Sequence, residues 1–96
     1  MNWGDKEKVL SIVKLNGVAL QYVADRLKDD RDVVITAVQE NGGALKFASQ
    51  RLKNDKEIVI EALKKDKMAF CYIGEKIKEK YFPEEKIILP YKLIFF

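Results

Sequence analysis

A repeat of 25 residues constrains this chain more than any other feature of its sequence. Residues 5–29, 30–54 and 55–79 align without a gap, and each block begins with an aspartate, at Asp5, Asp30 and Asp55. A constant period of this length is typical of repeat proteins, in which each unit buries its apolar face against the next. The sequence therefore predicts one stacked domain, covering residues 1–96.

The first half of each block predicts an amphipathic helix. The aspartate and a second acid two positions later favour the positive end of a helix dipole. Apolar residues then follow i, i+3, i+4 spacing, as at Val34, Ala37 and Val38. We expect the Asn-Gly pairs of the first two blocks to end this helix in the left-handed conformation. Lys67 and Met68 replace the glycines in the third block, so its turn is less clearly specified.

A second helix of about ten residues is predicted after each turn. An aromatic residue lies on its apolar face, and a small residue at another shared position lets neighbouring helices approach closely. Helices of this length are too short to be stable alone in water, so stacking must hold them. The aromatic residues are Tyr22, Phe47 and Tyr72, and the small ones are Ala24, Ser49 and Gly74. The predicted fold is all-α: a short stack of three helical hairpins, about six helices, with a C-terminal capping segment at residues 80–96.

The composition argues against an enzyme. The chain has no histidine and a single cysteine, Cys71, which excludes a Cys/His zinc site and a histidine-activated nucleophile. The five glycines are dispersed and match no phosphate-binding loop. We therefore expect no catalytic residue, metal or other cofactor. No apolar run is long enough for a membrane span and no secretory signal is seen, so we expect a cytoplasmic protein, including the case of a protein acting inside a host cell.

Two sets of basic residues recur near the end of the blocks. In a stack, equivalent positions form ladders along the molecule, and a basic ladder can bind phosphate groups. Such residues also complement the helix dipole and keep the surface soluble, and the formal net charge is only +3, so a structural role is the simpler interpretation. The candidate binding residues are Arg26, Arg51 and Lys76 in one ladder and Lys28, Lys53 and Lys78 in the other.

Large apolar residues lie at both ends of the chain. Trp3 aligns with Lys28, so we expect it to cover the exposed side of the first hairpin, with a partner-binding anchor as the alternative. Residues 91–96 are more apolar than is usual for a free terminus. We expect them to pack over the third repeat as a cap, with a docking surface or dimer contact as the alternative. The candidate contact or cap residues are Trp3, Tyr91, Phe95 and Phe96.

The blocks resemble a known family of tandem repeats of the form D-K/R-E-V-V-x-x-A-V-x-x-N-G-x-A-L-x-Y/F-A-S-x-x-L-K/R-x-D, which is catalogued only as a domain of unknown function. The similarity runs roughly from Asp5 to Glu79, and the second block carries it most clearly with DRDVVITAVQENGGALKFASQRLKND. The resemblance implies helical hairpins and intracellular protein binding. It implies no active-site residues.

Three classes of function remain open from the sequence. We expect a noncatalytic protein-binding module that presents one surface of the stack to a macromolecular partner and can inhibit it. A sharper version is a phage-encoded inhibitor of a host defence nuclease, of the anti-CRISPR type. The alternatives are nucleic-acid binding through the basic ladders and self-association through the apolar ends. No membrane partner is expected.

Overall fold

The computed structural model of the protein describes residues 2–82. In this range all regular structure is helical, and the same three elements recur in each block, which confirms the all-α fold class. The cap predicted at residues 80–96 lies outside the described residues from Pro83 onwards. The first block contains α1 (Lys6–Leu15), a 3-10 helix (Gly17–Tyr22) and α2 (Asp25–Lys28); the second contains α3 (Arg31–Glu40), a 3-10 helix (Gly42–Phe47) and α4 (Gln50–Lys53); the third contains α5 (Lys56–Lys65), a 3-10 helix (Lys67–Tyr72) and α6 (Glu75–Tyr81).

The long helices begin where the acids predict. The carboxylate of Asp30 accepts the backbone N–H groups of Asp32 and Val33, and Asp55 repeats this arrangement in the third block. Asp5 accepts the N–H of Lys8 at 3.3 Å. Each aspartate therefore satisfies backbone donors that have no partner inside the first turn of the helix.

The turn after each long helix differs from the left-handed turn that we predicted. No described residue has a positive φ. Instead Asn16 is extended, with φ −150° and ψ 94°, and its side chain accepts the N–H of Val18 at the start of the 3-10 helix. Asn41 does the same, and so does Asp66 in the third block. The side chain before the glycine makes the turn, so the replacement of glycine by Lys67 leaves the turn intact.

The single second helix predicted for each block is wrong. In the first block the chain forms a 3-10 helix, an extended break at Val23 and Ala24, and then the four-residue helix α2. Over six residues, periods of 3.0 and 3.6 give nearly the same apolar pattern, so the spacing did not distinguish the two kinds of helix. The break has a structural use, because it frees a backbone N–H to bond to the preceding block.

The blocks are joined by a backbone hydrogen bond that recurs at the predicted small positions. The N–H of Ser49 donates to the carbonyl of Lys28 at 2.9 Å, and the N–H of Gly74 donates to the carbonyl of Lys53 at 2.8 Å. In the first block the N–H of Ala24 donates to the carbonyl of Trp3 at 2.9 Å. The backbone of Trp3 thus takes the place of the end of a preceding block.

The core lies between two layers of helices. Helices α1, α3 and α5 pack side by side in one layer, and the three 3-10 helices pack side by side in the other. Leu20, Leu45, Leu52 and Ile58 are the largest fully buried side chains, and no polar or charged residue among the described ones is buried. Alternation of one long helix and one short 3-10 helix therefore gives each block a wholly apolar interior.

Two glycines permit the blocks to approach this closely. A Cβ atom added to Gly17 would collide with the backbone carbonyl of Ala37 in the next block, and one added to Gly42 would collide with the carbonyl of Ala62. Neither obstacle is a flexible side chain. The Asn-Gly signal is thus real, but the glycine serves packing between blocks and the asparagine serves the turn.

Candidate functional site

Two arginines of the predicted basic ladder bond to the residue that precedes their own block. Arg51 donates from its Nε to Asp29 Oδ1 at 3.0 Å and from a terminal nitrogen to the Asp29 carbonyl at 2.7 Å. Arg26 donates in the same way to the carbonyl of Gly4, which occupies the equivalent position before the first block. The guanidinium groups therefore have structural partners, although both side chains are exposed.

Residues of the second block lower the pKa of the Asp29 carboxyl group. A hydrogen bond from the Ser49 hydroxyl, followed by the bond from Arg51, holds the pKa of Asp29 below its ordinary value. Hydrogen bonds to a carboxylate favour its charged form. Asp29 is thus ionised at neutral pH and serves as the acceptor at one junction between blocks.

The other predicted basic residues are spread over different environments. Lys76 is exposed and shares with Arg51 and Glu75 the wall of an open cleft of about 530 Å³. Lys28 lies 3.8 Å from Asp25, and the ammonium of Lys78 lies 5.3 Å from the ring of Phe70. Lys53 is partly buried, as are Lys28 and Lys78. The structure brings Arg51 and Lys76 to one cleft, and their proposed role in binding stays a prediction.

A charged seam that we did not predict runs along the amino ends of the long helices. Lys6 lies 3.0 Å from both Asp30 and Asp32 of the next block, and Arg31 lies 3.0 Å from both Asp55 and Glu57. The signal was in the sequence, since a basic residue follows each initial aspartate and faces the two acids one block later. The sequence pattern predicts only that these acids cap the helix, complement its dipole or face solvent.

The seam shifts the pKa values of its members. Partial burial opposes ionisation of Asp30, but hydrogen bonds from Lys6 and from the Val33 N–H outweigh it, so the pKa of Asp30 lies below its ordinary value. Asp55 behaves alike: burial opposes its ionisation, but the hydrogen bonds from Arg31 and from the Ile58 and Glu57 N–H groups, with the nearby charge of Arg31, together outweigh burial and lower its pKa. Hydrogen bonds to Asp30 and then to Asp32 raise the pKa of Lys6. Asp30, Asp55 and Lys6 are therefore charged at neutral pH.

Each 3-10 helix ends at an aromatic residue, and we group these three residues with Trp3 as the aromatic row. We define it as Trp3, Tyr22, Phe47 and Tyr72. The rings of Trp3 and Tyr22 are 5.7 Å apart, and the ammonium of Lys46 lies 5.0 Å from the Phe47 ring and 5.8 Å from the Tyr72 ring. Tyr22 is 60% exposed, and the other three rings are partly buried. We expected the recurrent aromatics on the buried face, and this is wrong for Tyr22.

Of the predicted apolar contacts, Trp3 alone can be placed. Its side chain is partly buried and packs against the core. Tyr91, Phe95 and Phe96 lie outside the described residues, so their assignment as a cap or contact stays a prediction. Within residues 2–82, no group of three or more histidine, cysteine or acidic side chains is placed to hold a metal ion. In the same range no helix has the length and apolar character needed to cross a membrane.

Comparison with known families identifies the repeats. Residues 5–49 and 30–78 each match the family described as Domain of unknown function (DUF4116), and the two matches overlap through the second block. Together they cover well over half of the chain. The chain belongs to this family. The resemblance inferred from the sequence is thereby confirmed. No curated protein and no solved structure shows a significant match. Membership of DUF4116 carries no assigned activity, so a function must be argued from the surface of the domain itself.

Proposed function

We propose that this DUF4116 domain is a noncatalytic protein-binding module whose partner contacts the aromatic row. The exposure of Tyr22, at the position that the partly buried Phe47 and Tyr72 occupy in the other two blocks, carries the proposal. Tyrosine and tryptophan are enriched among the residues that dominate interface energies, because they bury a large area at little cost in side-chain entropy. A single exposed ring needs no explanation, but an aromatic ring recurs at this position in every block, and Phe47 and Tyr72 are partly open to solvent although they also pack against the core.

Lys46 indicates the chemistry of the partner. Its ammonium lies over two rings of the row, and no carboxylate within residues 2–82 forms an ion pair with it. A cation held beside apolar rings suits a carboxylate that approaches together with an apolar side chain. We therefore expect a protein segment that carries acidic residues next to apolar ones.

The contacts of the basic ladder favour a protein partner over a nucleic acid. Arg26 and Arg51 use their guanidinium groups for the carbonyls of Gly4 and Asp29. A phosphate backbone would have to compete with these internal acceptors. Binding at the aromatic row requires no such exchange, which is why we prefer it.

The test is capture of partners from lysate of the source organism, with nuclease present and read by quantitative mass spectrometry. The row variant is Tyr22→Ala with Lys46→Glu. The matched control is Leu15→Ala with Lys14→Glu, which also truncates an exposed apolar residue and reverses one exposed charge, but at the end of α1. We expect proteins that are retained by the wild type and the control and lost by the row variant.

Two results would reject the proposal. Equal capture by the row variant and the control would place binding elsewhere, and disappearance of all partners on nuclease treatment would favour nucleic-acid binding. A defence nuclease among the retained proteins is the result expected of an inhibitor of the anti-CRISPR type.

A further inference from the structure

The third block leaves an apolar groove where a following block would pack. The groove has a volume of about 170 Å³ and is lined by Val59, Ile60 and Leu63 of α5 and by Ile77, Tyr81 and Phe82. Ile60 is 41% exposed there. In the first two blocks, the side of the long helix that carries the equivalent residues is covered by the next long helix. Among residues 2–82, no further block covers this side of the third block.

A further repeat in the same register does not fit this end. Gly17 and Gly42 mark the point where a backbone carbonyl of the next block approaches too closely for any Cβ atom. The third block has Lys67 at the equivalent position. A fourth block, or the first block of a second copy placed in the same way, would meet the Lys67 side chain with its backbone. The occupant of the groove must be something other than another repeat.

The groove also carries a cation to which residues 2–82 supply no acidic partner. Lys6 and Arg31 pair with two acids of the following block, whereas Lys56, at the same position of the third block, forms no ion pair within residues 2–82. Its ammonium lies 5.2 Å from the ring of Tyr81. A fitting occupant would therefore bring a carboxylate to Lys56 and apolar side chains to the floor of the groove.

Residues 83–96 of the chain have this composition and start at the right place. They follow directly on Phe82, which lines the groove, and they read PEEKIILPYKLIFF. The two acids come first and the apolar residues follow. At about 3.3 Å per residue, even a short part of this segment reaches across the end of α5. We propose that residues 83–96 occupy the groove, with Glu84 or Glu85 paired with Lys56. This proposal does not depend on the aromatic row.

The test measures how close the segment comes to α5 in the full-length protein. A nitroxide is attached at Lys64→Cys, in a Cys71→Ser background, and broadening of the amide resonances of residues 84–96 is recorded by NMR. The matched control carries the label at Lys14→Cys, which is the same exposed position two blocks away. We expect strong broadening from position 64 and much weaker broadening from position 14.

Charge reversal tests the pairing within the same experiment. Lys56→Glu should reduce the broadening, and addition of Glu84→Lys and Glu85→Lys to that chain should restore it. Equal broadening from both label positions would overturn the proposal. Broadening that appears only when labelled and isotope-enriched chains are mixed would also overturn it, because a second copy would then be the occupant.

Discussion

The sharpest test of the stacking arrangement is a comparison of Gly42→Ala with Gly43→Ala. A Cβ atom at residue 42 would collide with the carbonyl oxygen of Ala62 and press on the backbone of Asp66. At residue 43 the nearest atoms would be side-chain oxygens, 3.2 Å away on Asn41 and 3.7 Å away on Asp66. Both glycines have ordinary negative φ values. The two substitutions therefore differ almost entirely in what the new methyl group meets.

The expected magnitudes follow from this difference. Alanine in place of glycine stabilises by roughly 0.4–1 kcal/mol through the unfolded chain, wherever the native conformation accepts it. Overpacking against rigid backbone costs typically about 1–3 kcal/mol, so Gly42→Ala should lower the free energy of unfolding by about 1–2 kcal/mol net. Gly43→Ala should change it little or raise it slightly. Because the unfolded-state gain is common to both variants, it cancels when they are compared.

The assay is urea unfolding of the full-length protein, followed by far-UV circular dichroism. We predict that Gly42→Ala unfolds at a clearly lower midpoint than Gly43→Ala, with similar slopes. If Gly42→Ala were as stable as its neighbour, the close approach of α5 to the second 3-10 helix would be refuted, and with it the reason given above for the end of the stack at Lys67.

The remaining predictions concern the seam, the turns and the junctions. Folding lowers the pKa values of Asp30 and Asp55, so the stability that these residues contribute is fully present above the unfolded pKa of about 3.9 and is lost as pH falls through the lower folded values. Asp30→Asn with Asp55→Asn should therefore weaken the dependence of the free energy of unfolding on pH in the acid range, and an unchanged dependence would contradict the seam. Asp66→Ala should cost about 1 kcal/mol in urea unfolding because it removes a cap, whereas Asp66→Asn, which restores the residue of the first two blocks, should cost little; equal losses would refute the capping role. Arg51→Lys should speed amide exchange at Ser49, because the paired bonds to the carboxylate and carbonyl of Asp29 need a guanidinium; unaltered exchange would show that the bonds do not hold the junction.

The arrangement of the fold could be predicted because the same helical spacing recurs in all three blocks. Each block by itself contains only a weak amphipathic pattern. All three blocks, however, have an aspartate, an aliphatic run and a small residue at the same positions, and this recurrence excludes most folds other than a stack of helical units. Amino-terminal caps were predictable for a local reason, since the carboxylate of Asp30 bonds to donors only two and three residues away. The fold class and the first residues of the long helices can therefore be predicted from this sequence.

Interactions between blocks were harder to predict. The split of each second helix depends on the bond from the N–H of Ser49 to the carbonyl of Lys28, which lie 21 residues apart in the sequence. The pairing of Arg51 with Asp29 likewise redirects a residue that the sequence offered as a binding candidate. Such contacts depend on how the blocks stack, and the periodicity of the sequence predicts that they stack but not which atoms meet. The exposure of Tyr22 was not predicted either, because the sequence pattern does not distinguish it from Phe47 and Tyr72, which are partly buried at the equivalent positions.

The most direct test of the proposed binding surface is photo-crosslinking in cells of the source organism. A photoreactive aromatic amino acid would replace Tyr22 in one strain and Leu15, which is 85% exposed at the end of α1, in another. We predict that position 22 forms a specific adduct with a protein and position 15 does not. Adducts from position 15 with none from position 22 would contradict the assignment of the aromatic row as the binding surface.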